Sequence, residues 1–218
     1  MAFTHPKSQD PHQVETPKAT KQEMKKGWRS RGYLPHFDMG GLYQGITYRL
    51  ADSLPGSAGV PPAYSAPLST HEKIERRKQI ERELNKGYGS CLLREKKIAK
   101  IVVDAWKHFD GKRYELIAYV VMPNHVHLLI KTYAGFALSS VIHSWKSFTA
   151  HEINKYLKRC GRDARAPKVW QNEYFDRVIR NDKHFIQALA YIHENPVKAG
   201  LCSQAGECPW SSAGKFYK

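Results

Sequence analysis

Two histidines separated by one residue are the first feature of this sequence that could do chemistry. His125 and His127 lie in the segment IAYVVMPNHVHLLIK, which spans residues 117–131. Alternate side chains of a strand share a face, so both imidazoles point the same way if the segment is extended. Neutral imidazole is the commonest metal ligand, so this pair supplies half of a metal site. The pair is also compatible with two ordinary strand residues.

The residues around the two histidines indicate that the pair is buried. VVM precedes it and LLI follows it, and such runs are apolar on both faces of a strand. Pro123 and Asn124 between them are typical of a turn, which predicts a hairpin of two central strands. Buried imidazoles need partners, so the flanks favour a functional pair.

A second group of residues that could take part in a reaction lies on the helix predicted for residues 181–194. At about 100° per residue, His184, Tyr191 and Asn195 fall within about 40° of one another beside an apolar face. If this edge lies against the hairpin, Asn195 completes a His-His-Asn metal site and Tyr191 reaches a substrate held there. Tyr191 is equally consistent with a packing residue, and Asn195 with a helix end before Pro196.

A phenol beside a metal site suits attack on a phosphodiester. A divalent cation neutralises charge on the phosphate oxygens and orients the substrate. The phenol has a pKa of about 10, so its surroundings must help it to lose its proton. The product is a phosphotyrosine ester that keeps the energy of the broken phosphodiester bond, and a free hydroxyl of the substrate can therefore reverse the reaction.

The charge of the chain indicates a polyanionic partner. Its 218 residues include 35 Lys and Arg against 20 Asp and Glu, a net charge of +15. Nucleic acid is the partner that such a surplus favours, although a generically basic protein is the alternative. The sequence has no apolar run of membrane-spanning length and no signal peptide, so we expect a cytoplasmic, nucleoid-associated protein without a membrane partner.

The four cysteines do not indicate a disulfide framework or a zinc site. Cys91, Cys160, Cys202 and Cys208 contain no C-x-x-C pair. In a cytoplasmic protein we therefore expect them to be reduced and mostly structural.

The hydrophobic pattern predicts an α+β fold, a ferredoxin-like antiparallel sheet with helices packed on it in a single domain. Strands are expected at 43–50, 114–122 and 125–131, and a fourth within 169–179. Helices are expected at 69–86, with a capping box of Ser69 and Glu72, from about 95 to 110, at 138–157, and at 181–194 before a break at Asn195 and Pro196.

The composition predicts three segments around this domain. Residues 1–27 are polar and Lys-rich, which is typical of a disordered basic tail. Residues 55–68 form a Pro/Ala-rich loop inside the ordered domain of residues 28–214, and residues 215–218 form a C-terminal tail.

Basic residues interleaved with aromatic residues are candidates for contacts with single-stranded DNA, because bases stack on rings while Lys and Arg track the backbone. The same aromatic residues could instead fill the core at the edge of the sheet. The candidates are Arg29, Arg31, Lys146, Lys155, Trp170, Tyr174, Arg177 and Arg180.

Four blocks in order, VVMPNHVHLLI, SWKSFTAHEINKYL, VWQNEYFDRVIR and YIHENPVKAGL, resemble the REP-associated tyrosine transposases, where REP denotes a repetitive extragenic palindrome. These are relatives of the single-tyrosine transposases of small insertion sequences. The resemblance covers residues 28–213 and implies a ferredoxin-like fold, a divalent Mg²⁺ or Mn²⁺ ion, and cleavage of single-stranded or hairpin DNA that leaves a 5′-phosphotyrosine. Members of this type look monomeric.

The resemblance also assigns roles to the residues found above. It implies that His125 and His127 are metal ligands, that Tyr191 is the nucleophile and that Asn195 is the third ligand. Many insertion-sequence relatives have Gln at the last position, and Asn is one methylene shorter. Two alternatives to this transposase remain open: a catalytically silent, domesticated hairpin-binding protein, and a metal-dependent hydrolase that uses water.

Overall fold

The computed structural model describes residues 28–30, 35–54, 69–162 and 168–215. The predicted tail at 1–27 and the predicted loop at 55–68 lie outside these residues. In chain order the elements are β1 (Trp28–Ser30), β2 (Pro35–Phe37), β3 (Tyr43–Arg49), α1 (Thr70–Asn85), α2 (Lys96–His108), β4 (Tyr114–Val121), β5 (His125–Thr132), α3 (Leu138–Arg159), β6 (Phe175–Val178) and α4 (Asp182–Lys198).

Four strands form one antiparallel sheet in the order β4-β5-β3-β6. With α2 between β3 and β4 and α3 between β5 and β6, this is the order of a ferredoxin-like fold. The α+β class and the ferredoxin-like antiparallel sheet predicted from the sequence are therefore confirmed. The fourth strand is shorter than the segment in which it was expected, and Trp170 before it forms only an isolated bridge to Leu50.

One face of the sheet packs on α2 and α3 and forms the larger core. The alternation predicted for β3 places Ile46, Tyr48 and Leu50 on this face. Polar atoms of its aromatic residues are satisfied within the core, since the indole of Trp106 donates to the Tyr48 hydroxyl at 2.8 Å. Trp145 likewise donates to the Tyr114 hydroxyl at 2.8 Å. These bonds fix ring positions that apolar packing alone leaves adjustable.

The opposite face packs on α4. Ile192 and Leu189 of α4 lie against Val120 and Leu129 in a second cluster of buried side chains. Leu129 is two residues beyond His127, so both histidines of β5 face α4. The alternation of one strand thus sends Val126 and Leu128 into the larger core and the imidazoles toward the helix that carries Tyr191.

Strands β1 and β2 form a separate two-stranded sheet that the sequence did not predict. His36 of β2 connects it to the main sheet. Its Nδ1 lies 2.6 Å from Asp176 Oδ1, its Nε2 lies 3.3 Å from Glu173 Oε2, and its ring stacks on Tyr174 at 4.1 Å. Burial alone would lower the pKa of His36, but hydrogen bonds to Asp176 and Glu173 and their charges outweigh it and raise that pKa.

Helix α1 begins with the predicted capping box, in which Ser69 Oγ accepts from the Glu72 amide at 3.2 Å and Glu72 accepts from the Ser69 amide at 2.7 Å. The helix is highly charged. Of its large apolar residues, Ile74, Ile80 and Leu84, only Leu84 is buried, and Ile74 is 48% exposed. Polar contacts therefore hold much of α1 on the protein.

The last helix differs from its prediction, which had it end at residue 194. Helix α4 runs to Lys198 with Pro196 inside it. Pro196 cannot donate to the carbonyl one turn earlier, but the Ala199 amide donates to Asn195 at 3.0 Å and keeps the last turn closed. Within the described residues, no helix is long and apolar enough to cross a membrane.

The expectation of four reduced cysteines is wrong for one pair. Cys202 and Cys208 form a disulfide, with their Cα atoms 5.9 Å apart. A 3₁₀ turn at Ala205–Glu207 folds the intervening residues back and brings the thiols together, although their spacing is not C-x-x-C. Cys91 and Cys160 are free thiols.

We predict that the link between β2 and β6 depends on pH. The folded state raises the pKa of His36, so its stabilisation is complete below the unfolded value of about 6.5 and is lost as pH rises through the folded value. His36→Gln should lower the free energy of unfolding by about 1–3 kcal/mol at pH near 6 and by less at pH near 8.5. Urea unfolding at both pH values measures this difference.

The exposed His151, which lies 3.8 Å from Glu152, provides the control. His151→Gln should change stability little at either pH. An equal effect of His36→Gln at the two pH values would contradict an ionic link.

Candidate metal and nucleophile site

The two histidines lie side by side in the core between the sheet and α4. His125 is 0% exposed and His127 is 3% exposed. Their ring centroids are 4.8 Å apart and the rings are nearly perpendicular. The sequence-based prediction that both imidazoles share a buried face is therefore confirmed, and each ring must find its partners inside the protein.

Asn124 fixes the proton of His125. The Asn124 amide nitrogen donates to the backbone carbonyls of Leu84 and Tyr88 at 3.2 and 3.1 Å. Because these carbonyls only accept, Asn124 Oδ1 must face His125 Nδ1, which lies 2.7 Å away. Nδ1 therefore carries the proton, and Nε2 keeps its lone pair.

That lone pair has no hydrogen-bond partner among the described residues, and His125 Nε2 is buried. A buried nitrogen without a partner costs free energy unless something else occupies it. The atom thus has the protonation state and the position of a metal ligand.

His127 is held from two sides. Its Nδ1 lies 2.8 Å from Thr47 Oγ1 on β3, and its Nε2 lies 3.2 Å from Asn195 Nδ2 on α4. The bond to Thr47 orients the ring, as outer partners of metal-binding histidines do. The Asn195 amide faces Nε2, and half a turn of the carboxamide would present its oxygen there instead. This confirms that Asn195 lies beside the histidine pair.

Both histidines are kept neutral by their surroundings. Burial lowers the pKa of His125 to about 3. Burial also lowers the pKa of His127 well below its ordinary value, and the positive charge of Arg77, together with the repulsion that a protonated His125 would exert, acts in the same direction. Neutral imidazole is the form that binds a metal, so the pair needs no deprotonation near neutral pH.

Tyr191 packs against the histidine pair. Its ring centroid lies 5.3 Å from that of His127, and its hydroxyl donates a hydrogen bond to Glu81 Oε1 on α1. Burial, followed by the hydrogen bond and charge of Glu81, raises the pKa of Tyr191, while Asn195 and Arg77 act in the opposite direction. The predicted proximity of Tyr191, Asn195 and the histidines is confirmed.

The sequence did not identify Glu81 or Arg77 as site residues. Both lie on α1, whose charged positions look like a solvated helix face, and the contact with α4 joins segments 110 residues apart. The guanidinium carbon of Arg77 lies 4.0 Å from the centre of the Phe175 ring on β6. No local pattern signals contacts of this kind.

Two of the predicted DNA contacts are engaged inside the protein. Lys146 donates to the carbonyls of Gln171 and Asn172 at 2.5 and 2.8 Å, and burial lowers its pKa to about 8. Trp170 is 4% exposed and its indole donates to Thr149 Oγ1 at 2.9 Å. Together they anchor the segment that leads into β6, so in this conformation both act as packing residues. Their contact with DNA stays a prediction.

The remaining candidates divide by exposure. Lys155, Arg177 and Arg180 are exposed, and Arg177 lies close enough to Arg77 and His184 to influence both. Tyr174 is partly buried under His36. The Arg29 side chain and Arg31 lie outside the described part of the chain.

The donor set is compatible with a divalent cation. Among the described residues no cluster of three His, Cys, Asp or Glu side chains could hold a metal. The candidate site instead combines two imidazoles with a carboxamide, and thiolates are absent from it. The carboxamide oxygen is a hard donor of the kind that Mg²⁺ and Mn²⁺ accept, and the thiolates of many structural Zn²⁺ sites are missing, so the set is compatible with the ion expected from the sequence. The unpaired nitrogen of His125 is the structural observation that makes these residues fit such an ion.

Comparison with known proteins agrees with the sequence blocks. The family model for IS200-like transposases matches residues 74–195, more than half of the chain, and this segment contains His125, His127, Tyr191 and Asn195 but not Thr47. A REP-associated tyrosine transposase of Escherichia coli is 30% identical over 100 residues, which cover 45% of this chain and 54% of that protein.

A Haemophilus influenzae protein provisionally given the same name is 27% identical over 103 residues, 45% of this chain and 58% of its own. The match thus spans little more than half the length of either relative. Among solved structures, a REP-associated tyrosine transposase bound to a REP hairpin aligns over 85% of this chain and 84% of its own, with 19% identity and a TM-score of 0.49.

We predict that Asn124 couples α1 to His125. In Asn124→Asp the carboxylate can still accept from His125 but cannot donate to Leu84 and Tyr88, whose carbonyls would face a buried charge. The free energy of unfolding should fall by about 2–3 kcal/mol in urea titrations. Amides at the end of α1 should exchange hydrogen faster. Asn172→Asp, at an exposed position, is the control, and unchanged exchange in α1 would refute the coupling.

Proposed function

This chain belongs to the IS200-like transposase family, and we propose that it cleaves and rejoins single-stranded or hairpin DNA through a 5′-phosphotyrosine on Tyr191. The observation that carries the proposal is the position of Tyr191, whose ring packs against His127 of the buried, neutral histidine pair and whose hydroxyl is within reach of Asn195. These four side chains come from a strand and a helix that the fold presses together.

The proposed ligands of a Mg²⁺ or Mn²⁺ ion are His125 Nε2, His127 Nε2 and the Asn195 carboxamide oxygen. When bound, such an ion supplies Lewis-acid stabilisation of charge on the phosphate. The protein supplies the rest. Thr47 and Asn124 orient the imidazoles, and the core around them excludes water.

Tyr191 attacks the phosphorus through its hydroxyl oxygen. A Tyr191 oxygen–phosphorus bond forms and the bond from phosphorus to the 3′ oxygen breaks. That oxygen leaves with the electron pair and takes up a proton from water to become a 3′-hydroxyl. The Tyr191 proton has an acceptor at hand in Glu81. Attack by a 3′-hydroxyl on the tyrosine ester runs the same steps in reverse and rejoins the strand.

The substrate class follows from the charge and from the relatives. A net charge of +15 suits a polyanion. The Escherichia coli relative is a REP-associated transposase, so we propose that a palindromic hairpin is the form of DNA that this chain binds. We further propose that the protein acts as a monomer in the cytoplasm, associated with the nucleoid.

The competing function is a hairpin-binding protein without catalysis. It predicts hairpin binding without a covalent product. The observation that disfavours it is the partnerless lone pair of His125, a costly arrangement that binding alone does not require. A hydrolase that uses water predicts cleaved ends without a protein adduct.

We predict that Tyr191→Phe forms no covalent product, because the ring remains and only the attacking oxygen is lost. Stability should change by about 1 kcal/mol, the value of one hydrogen bond. A hairpin labelled at its 3′ end and incubated with Mn²⁺ should remain attached to the wild type on a denaturing gel. Tyr133→Phe is the control. An adduct in Tyr191→Phe, or DNA mapped to Tyr174, would sink the assignment.

We predict that His125→Ala and His127→Ala abolish adduct formation and weaken Mn²⁺ binding in calorimetry by at least about tenfold. Hairpin affinity should change little, since phosphate contacts by Lys and Arg dominate it. His143→Ala, on the exposed surface of α3, should behave as wild type. If both active-site variants retain adduct formation, the metal site is wrong.

A further inference from the structure

Helix α1 places a positively charged side chain, Arg77, beside the nucleophile. No step of the proposed reaction involves this side chain. Arg77 lies one turn before Glu81 on α1, and Glu81 accepts the hydrogen bond of Tyr191. The contact that places Glu81 at the hydroxyl therefore also places Arg77 beside Tyr191. Its charge acts on the pKa values of Tyr191, His127 and His184, so it is close to all three.

The position of Arg77 is set by the register of the sheet. His127 pairs with Thr47, and Thr47 pairs with Phe175, so these three side chains form one row on the face that packs against α4. The guanidinium of Arg77 lies over the Phe175 ring at the end of this row, 4.0 Å from its centre. Arg77 thus stands at the side of the site opposite β4.

Arg77 forms no salt bridge with any residue that the structure describes. Glu81 is the acidic residue whose charge acts on it, and Glu81 is occupied by the Tyr191 hydroxyl. A cation–π contact with Phe175 leaves the N–H donors available for another acceptor. Burial lowers the pKa of Arg77, because the charged guanidinium is partly removed from water.

We propose that Arg77 is the ligand of the phosphate that Tyr191 attacks, and that it holds the same phosphate in the phosphotyrosine ester. This rests on the proposed function. A guanidinium presents paired donors that match two phosphate oxygens, which a lysine at this position would not reproduce. Arg77 is then a catalytic residue from a helix that the His, Tyr and Asn motifs do not include. Glu81, which accepts the Tyr191 proton, also holds the hydroxyl toward the same phosphate.

The first test measures the rate of adduct formation and the affinity for the uncleaved hairpin in the same preparations. Arg77→Gln should slow adduct formation by about ten- to hundredfold, the range for one charged hydrogen-bonding group, while hairpin affinity changes by less than about threefold. Arg77→Lys should recover only part of the rate. Melting curves of each variant establish that it is folded.

Arg82 on the same helix provides the matched control, because it is exposed and Arg82→Gln removes an equal charge away from Tyr191. This variant should form the adduct at the wild-type rate. A wild-type rate in Arg77→Gln, or an equal loss in Arg82→Gln, would overturn the proposal.

The second test does not depend on cleavage. Phenyl phosphate carries the phosphate ester of a phenol, as phosphotyrosine does. In nitrogen–proton correlation spectra of the full chain, the side-chain Nε signal of Arg77, assigned by its absence in Arg77→Gln, should shift with saturation as phenyl phosphate is added. Absence of a shift overturns the phosphate site. Phosphate binding without any wild-type adduct would instead refute the proposed function and leave the Arg77 site standing.

Discussion

The burial of two neutral imidazoles is the constraint around which the site is built. A charged histidine could not occupy the 0% exposed position of His125, and a neutral one requires partners for both ring nitrogens. Asn124 satisfies one nitrogen of His125, while Thr47 and Asn195 satisfy both nitrogens of His127. The turn before β5, strand β3 and helix α4 therefore all contact the histidine pair. The remaining nitrogen of His125 is left for a ligand from outside the chain.

The arrangement of the site side chains could be predicted from the sequence, because side chains alternate along strands and α4 has an apolar stripe. His125, His127, Tyr191 and Asn195 are specified by local periods of two and 3.6 residues, and the faces they occupy followed directly. The helix end was missed because Pro196 was expected to break α4, whereas a proline near the end of a helix removes only one hydrogen bond. The fold was predictable for the same reason, since its core-facing residues repeat with these periods.

Contacts between distant segments were not predictable in this way. The bond from Tyr191 to Glu81 and the network of His36, Asp176 and Glu173 join charged residues that any local pattern assigns to solvent. Cys202 and Cys208 required a turn whose shape their spacing does not reveal. Lys146 illustrates the converse, because a lysine on the polar edge of α3 turns inward to hold two carbonyls. Partners across the fold, rather than neighbours along the chain, determine where such side chains point.

Helix α1 is attached beside the site mainly by polar contacts. An apolar stripe would hold the helix on the body of the protein by burial, whereas α1 is attached largely through Asn124 at its end, Glu81 at Tyr191 and Arg77 at Phe175. The first two contacts end at the residue before His125 and at Tyr191, and Phe175 pairs with Thr47, the partner of His127. Asn124 sets the tautomer of His125 with the same amide group that binds the end of α1, so a displacement of α1 removes the restraint on the histidine as well as the partner of the tyrosine. The position of the helix and the state of the site are therefore coupled through hydrogen bonds that water could replace, and docking of α1 is part of forming the site.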